Sequence, residues 1–492
     1  MNGNEIKKHF LLKMTDNENN DSHVLTSYND VKIVERNNIK SEVDKNLMNV
    51  KVYKKRWFIL FIFCLSCGIN YISYAQYSII TNIVTRYYGV STTAVEWTMM
   101  IYLLIYIPLV IPATNFFEKI GLKWSMILSI GCVTIGSWIK AFSVAPDRFH
   151  IAFIGQFISA TMMVFYASAP TRVAANWFPS DQVSTATSLG IFGSLLGIAL
   201  GFYIPPIVIK NHENLDKIGE EMQLLNYIYS GITTVTAVFV IVFFKEEPEL
   251  PPSAAQALLK VNRIENQDSF IAPLKRLFTN KYFLLLFNSH GLNVGVYNAT
   301  ATLLNQFYIT HFPNGEEEAG QIGLLIILTG MLGAVCFGLL VDKTHRYKSV
   351  AIVAYFLSLL AQILFAIALN VEVKWLVFAS GIFLGFSLSG YYALGYELCV
   401  EYTYPESEFM TVGILIVSSD IYGILLVTIL GELWTVYGEI VAHIGLCSAL
   451  VIGFIITIFT KDEQRRENAR KSTLYTNVST REEIINKQNS NI

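Results

Sequence analysis

Charge is what this chain has least of. Asp, Glu, Lys and Arg make up 15% of its 492 residues, against roughly 25% in an average soluble domain. Hydrophobic residues reach 53% and mean hydropathy is +0.44, which points to a protein of the bilayer. Cysteine is also scarce. The six present (Cys64, Cys67, Cys132, Cys336, Cys399 and Cys447) all lie in apolar stretches, which excludes a disulfide framework and a zinc site of ordinary spacing. Cys64-Leu-Ser-Cys67 has the spacing of a redox motif, but its apolar surroundings make these small helix residues. No metal and no cofactor is expected. Lys and Arg border apolar runs instead of covering one face of a soluble domain, which argues against a nucleic-acid partner. The eight His are scattered, with no HExxH or HxxxxD spacing, so a polytopic enzyme is disfavoured and no catalytic residue is assigned. No apolar core precedes residue 57, and no cleavable signal peptide is expected.

What the chain does have is apolar length. A transmembrane helix needs about 20 apolar residues, and such runs fall at roughly 57–82, 96–117, 124–143, 150–172, 184–208 and 223–244, then 282–309, 319–341, 349–370, 375–399, 409–433 and 439–460. The expected fold is therefore an all-α membrane protein of twelve transmembrane helices in two six-helix halves, 57–244 and 282–460. A cytoplasmic connector, 245–281, joins them, and polar tails at 1–56 and 461–492 are expected to be disordered. Of the 36 Lys and Arg, 30 lie on the tails and the even-numbered loops, which places both termini in the cytoplasm. The connector contains Pro248, Pro251 and Pro252 and an amphipathic run from Ala254 to Arg276, expected on the membrane surface.

The two halves show traces of a repeat. Tyr166 to Pro179 aligns with Tyr392 to Pro405, and the same offset pairs Thr185 with Thr411 and Gly197 with Gly423. Halves of equal orientation related by an axis along the membrane normal are a transporter architecture. Together with Gly338, Asp342 and Lys343, which look like the G-x-x-x-D-[RK] signature between helices 8 and 9, this arrangement resembles the major facilitator superfamily.

Seven short segments narrow the resemblance. Gln76 to Asn82, Tyr88-Gly-Val90, Ile111 to Thr114, Gly136 to Lys140, Val183 to Ala186, Thr302 to Gln306 and Tyr404 to Glu408 occur in order, and they resemble the feline leukaemia virus subgroup C receptor-related family. That resemblance implies alternating-access transport of choline and ethanolamine, with haem as a longer-standing proposal. It also implies an aromatic cation site at mid-membrane, which carries over to Tyr74, Gln76 and Tyr77 on helix 1, Met163 on helix 4, Asn298 with neighbouring Tyr297 on helix 7, and Asp420 on helix 11. Tyr74, Met163, Asn298 and Asp420 stand where the family has Trp, Gln, Tyr and Gln.

Polar side chains in hydrocarbon are costly and should face a cavity or another helix. Asn70, Tyr74 and Tyr77 share one face of helix 1, and Asn298, Thr302 and Asn305 share one face of helix 7. Both faces read as cavity walls, with interhelical packing as the competing reading. Asp420 is the sharpest residue, because an unpaired mid-span carboxylate costs on the order of 2.5–3.5 kcal/mol on insertion scales. It is read as a counter-charge for a cationic substrate, a proton-coupling group, or the partner of a membrane histidine such as His290. Nearer the cytoplasm, Glu118, Arg172, Asp342, Glu397 and Glu401 are candidate gating ion pairs, with ordinary rim charge as the competing reading. The expected protein is a plasma-membrane transporter, monomeric, whose partners are a small-molecule substrate and the lipid bilayer. Haem transport and a transporter-like receptor are the alternatives.

Overall fold

The computed structural model describes residues 50–179, 182–252, 271–344, 346–406, 408–461 and 465. Most of the two polar tails and the connector segment 253–270 therefore lie outside the described residues. Contacts divide the chain into a small unit, Met1–Tyr53 with Ala175–Asp181 and Glu247–Asp268, and a large one, Lys54–Ala174, Gln182–Glu246 and Ser269–Ile492. The description that follows concerns the large unit.

Its elements are all helical among the described residues. In chain order they are α1 (Lys55–Ala75), a single 3-10 turn (Ser78–Ile80), α2 (Thr81–Tyr88), α3 (Thr92–Phe142), α4 (Phe149–Thr161), α5 (Met163–Trp177), α6 (Val183–Val208) and α7 (Leu215–Phe243). These are followed by α8 (Ile271–Thr279), α9 (Lys281–His311), α10 (Glu316–Thr344), α11 (Tyr347–Asn370), α12 (Lys374–Thr403), α13 (Glu408–Tyr437) and α14 (Glu439–Ile458). The expected first run is broken after Ala75 by the 3-10 turn, and the expected fourth run is broken at Met162. The second and third runs, both within α3, are two helices that meet at a kink at Gly121, φ 81°. Only a residue without Cβ adopts that conformation cheaply. A side chain there would also meet the Glu246 carboxylate within 3.0–3.2 Å. That carboxylate accepts the freed N–H groups of Leu122 (2.8 Å) and Lys123 (2.5 Å), an anion at the start of the second arm of the helix.

Eleven helical segments are long and apolar enough to cross a membrane. The expected seventh span, α9, is 31 residues long but is not among them, because it carries Asn288, His290, Asn293, Asn298 and Asn305. Its packing explains the polarity. His290, Asn293, Leu303, Asn305 and Phe307 are wholly buried, so α9 is surrounded by protein and has no need of an apolar surface. On α7, by contrast, Ile228, Ile232, Val235, Val238 and Val242 are exposed, as a lipid-facing stripe must be.

Small residues set the closest approaches. Gly193 and Gly197 on α6 pack against α1, where a Cβ on Gly193 would lie 2.8 Å from the Cβ of Cys64 and one on Gly197 would overlap the backbone of Gly68. The same device recurs between α9 and α13: a Cβ on Gly295 would lie 2.8 Å from the Cβ of Tyr422. In both places the missing side chain lets two backbones pack closely without a hydrophobic driving force. Helix α6 also packs along α10, and α3 along α13.

Candidate functional site

The seam between α3 and α13 is built by spacing along α13. Gly413 faces Val110, and Gly423 faces Leu103 and Asn298. Asp420 lies seven residues after the first and three before the second, so it shares their face and is turned towards α3. It is 4% exposed, and its Oδ2 has no hydrogen-bond partner among the described residues. The adjacent polar groups are committed elsewhere. Ser418 donates to the carbonyl of Phe287, Ser419 to that of Leu415 (3.3 Å), and the Tyr422 hydroxyl to Asn288 Oδ1 (2.7 Å).

Tyrosines from three helices lie within electrostatic reach of this carboxyl. Asp420 is within electrostatic reach of Tyr74 on α1, Tyr106 on α3, and Tyr392 and Tyr396 on α12. Tyr297 of α9 is in turn within reach of Tyr74 and Tyr392. Tyr74 is held edge-on against Tyr102, with ring centroids 5.4 Å apart, and Tyr396 donates a hydrogen bond to Tyr392. The arrangement is a negative group among aromatic faces, both of which favour a cation. Tyr74 and Asp420 are thus brought together, and Tyr297 is near Tyr74. Asn298 packs on Gly423 at the same seam, while its carbonyl accepts from Thr302 (2.8 Å).

Gln76 and Tyr77 belong to a different environment. Lys140, near the end of α3, is completely buried. Its ammonium donates to Ser73 Oγ (2.6 Å), Gln156 Oε1 (3.1 Å) and Gln76 Oε1 (3.2 Å), and it lies over the rings of Tyr77 (5.5 Å) and Tyr229 (5.2 Å). The Gln76 amide donates to Asn226 Oδ1 (2.9 Å), and the Gln156 amide donates to the carbonyls of Ser73 (2.7 Å) and Thr98 (3.0 Å). Gln76 is therefore fully engaged inside one group of helices. Met163 is half-buried and begins α5, just after the break at Met162.

His290 is not the partner of Asp420. Both of its ring nitrogens lack a hydrogen-bond partner among the described residues, and the ring packs against Tyr391, Tyr392 and Tyr396 at 5.6–6.1 Å. Of the candidate gating residues, Arg172 places its guanidinium over the Phe117 ring (5.1 Å) and Glu401 is buried. Glu397 is exposed, and the side chains of Glu118 and Asp342 lie outside the described residues.

Several bonds between α1–α7 and α9–α14 gather at the end of the bundle that carries Asn211 and Glu316. Asn305 donates to the carbonyl of Ile79 (2.7 Å), and Asn82 and Asn211 both donate to Glu316 Oε1 (2.7 and 2.9 Å). Gln306 donates to Glu96 Oε1 (2.6 Å), and Lys210 pairs with Glu317. Sequence reasoning did not anticipate this closure. Its available signal was a polar residue at the last turn of each contributing apolar run, which is ambiguous with ordinary loop polarity.

Comparison with known proteins agrees with this architecture. Residues 57–426 match the Major Facilitator Superfamily. The choline/ethanolamine transporter flvcr2a of Danio rerio is 40% identical over 428 residues, 87% of this chain and 91% of that protein. Choline/ethanolamine transporter FLVCR2 of Homo sapiens is 38% identical over 443 residues, 90% and 84% of the two chains. Among solved structures, an inward-facing, unoccupied bacterial homologue of the human lysosomal transporter Spinster superposes with a TM-score of 0.61 at 13% identity, covering 83% of this chain and 96% of its own. At that identity the likeness concerns the fold alone. With an all-helical bundle of membrane-spanning length and relatives this similar over nearly their full length, the chain is a multi-pass membrane transporter that belongs to the Major Facilitator Superfamily and, within it, to the feline leukaemia virus subgroup C receptor-related family.

Proposed function

We propose that this transporter carries a small organic ammonium ion, choline or ethanolamine, by alternating access, with the substrate held between Tyr74, Tyr297 and Asp420. The observation that carries the reading is Asp420: a buried carboxyl group with an unpartnered oxygen, turned towards α3 and within electrostatic reach of Tyr74, Tyr106, Tyr392 and Tyr396. A carboxylate in hydrocarbon needs a counter-charge, a partner or a proton, and the nearest polar side chains on α13 are bonded elsewhere. The names of the relatives support the same substrate class. Twelve spans with both termini in the cytoplasm, two rocking halves at 57–244 and 282–460, and residence in the plasma membrane complete the proposal. In this orientation the Asn305, Glu316 and Gln306 bonds lie on the outer side, and the gating candidates Arg172, Glu397 and Glu401 lie on the inner side. No chemical step is assigned to the site, and the protein acts as a monomer.

Haem fits less well. Its propionates call for cations, and the buried cation Lys140 is already shared by Ser73, Gln76 and Gln156. The test is uptake of labelled choline, ethanolamine and haem by proteoliposomes containing the full chain. Saturable uptake of at least one of the first two is expected; uptake of haem alone would overturn the substrate class.

A further inference from the structure

Choline and ethanolamine carry the same charge and differ at nitrogen: one presents four carbon substituents, the other three N–H donors. Resting on the ammonium reading above, we infer that Asp420 makes this site select for N–H-bearing ammonium ions, so that ethanolamine and its mono- and dimethyl derivatives, each of which keeps an N–H, are preferred over choline, which has none.

The argument starts from what the two kinds of group at the site recognise. The faces of Tyr74, Tyr106, Tyr297, Tyr392 and Tyr396 attract positive charge whatever its substituents, and a site made of them alone would suit a quaternary ion. The carboxylate discriminates. A primary ammonium donates a charge-assisted hydrogen bond to it, whereas a trimethylammonium holds its charge behind methyl groups and donates nothing. Oδ2 of Asp420 is the acceptor in question, and it is buried with no partner among the described residues. No neighbour on its helix is free to serve it, because the hydroxyls of Ser418, Ser419 and Tyr422 donate to Phe287, Leu415 and Asn288. A bound quaternary ion would give that oxygen no hydrogen bond, and sites built to hydrogen-bond an N–H discriminate strongly against the analogue that lacks it. A glutamine here, which is what the family resemblance implies at this position, offers a neutral acceptor and a competing donor, and loses most of the distinction.

The experiment measures competition for labelled ethanolamine uptake in proteoliposomes of the full chain, using unlabelled ethanolamine, N-methylethanolamine, N,N-dimethylethanolamine and choline. The half-inhibiting concentration is expected to change least over the first two methylations and to rise by about tenfold or more at the third, which removes the last N–H. Asp420→Gln flattens the series to within about twofold, and Asp420→Glu, which keeps the carboxylate, preserves its order. Thermal stabilisation of purified wild-type protein by the same four amines reads the order without transport and without any variant. A wild-type series that is flat or favours choline overturns the inference while leaving the ammonium reading intact. Failure of all four amines to stabilise or compete overturns both.

Discussion

Lys140 and Asp420 are both buried charges in membrane-spanning helices, yet the protein treats them oppositely. Lys140 is 0% exposed and donates to three oxygens, with two aromatic rings beneath it. Asp420 is 4% exposed and keeps one oxygen without a partner. The difference separates two uses of a costly group. A charge saturated with protein partners holds helices together, here α1, α3 and α4. A charge left with bonding capacity, facing a seam between helices, is available to a ligand. Sequence position alone gave the reverse impression of Lys140, which looked like a border residue.

The comparison is broken first at Lys140. Replacement by Met leaves the acceptors of Ser73, Gln156 and Gln76 buried without their shared donor and costs about 2–4 kcal/mol. Thermal unfolding of detergent-solubilised Lys140→Met protein should show a melting point lowered by several degrees; an unchanged melting point would mean that the network is not structural. At Asp420 the outcomes exchange places. Asp420→Asn keeps the shape and removes the uncompensated charge, so stability is retained or raised. Ammonium uptake falls by about tenfold or more, as the loss of one charge-assisted bond of about 1.5–3 kcal/mol requires. An Asn variant that unfolds but transports normally when rescued would assign Asp420 to structure and erase the contrast.

Smaller effects sharpen it. Asn305→Ala removes the bond to the Ile79 carbonyl and costs about 1 kcal/mol of the closed arrangement. A cysteine at Thr302, which is 1% exposed, should then react several-fold faster with an impermeant maleimide applied outside; unchanged labelling would place the seal elsewhere. Lys210→Ala is expected to do least. Its ion pair with Glu317 is about half exposed, with side chains 40% and 52% accessible, and such pairs contribute about 0–1 kcal/mol. Labelling and uptake should stay within about twofold of the parent.

Much of the fold was legible in advance because a bilayer imposes simple rules. Eleven of the expected runs coincide with described helices of spanning length. The seventh run escaped a hydropathy criterion because α9 is enclosed by other helices, and polarity is tolerated there. At the proposed site, Tyr74, Tyr297 and Asp420 were named from spacing and family resemblance together. Tyr106, Tyr392 and Tyr396 were not, since a tyrosine in an apolar run is common and nothing local marks which face it turns to. Gln156 was hidden for the same reason, and Gln76 was placed at the substrate when its hydrogen bonds commit it to Lys140 and Asn226.

By itself, the sequence determined that this chain is a helical membrane protein, roughly where its helices begin and end, and that one carboxylate lies in mid-span. Those properties depend on composition and period, which are local and readable one segment at a time. Only the tertiary structure decided which buried charge is satisfied and which is not, because satisfaction depends on partners 16 to 67 residues away for Lys140 and on the direction in which α13 faces for Asp420. Hydrogen bonds form over about 3 Å of space, and no pattern along the chain records which side chains fold brings within that distance.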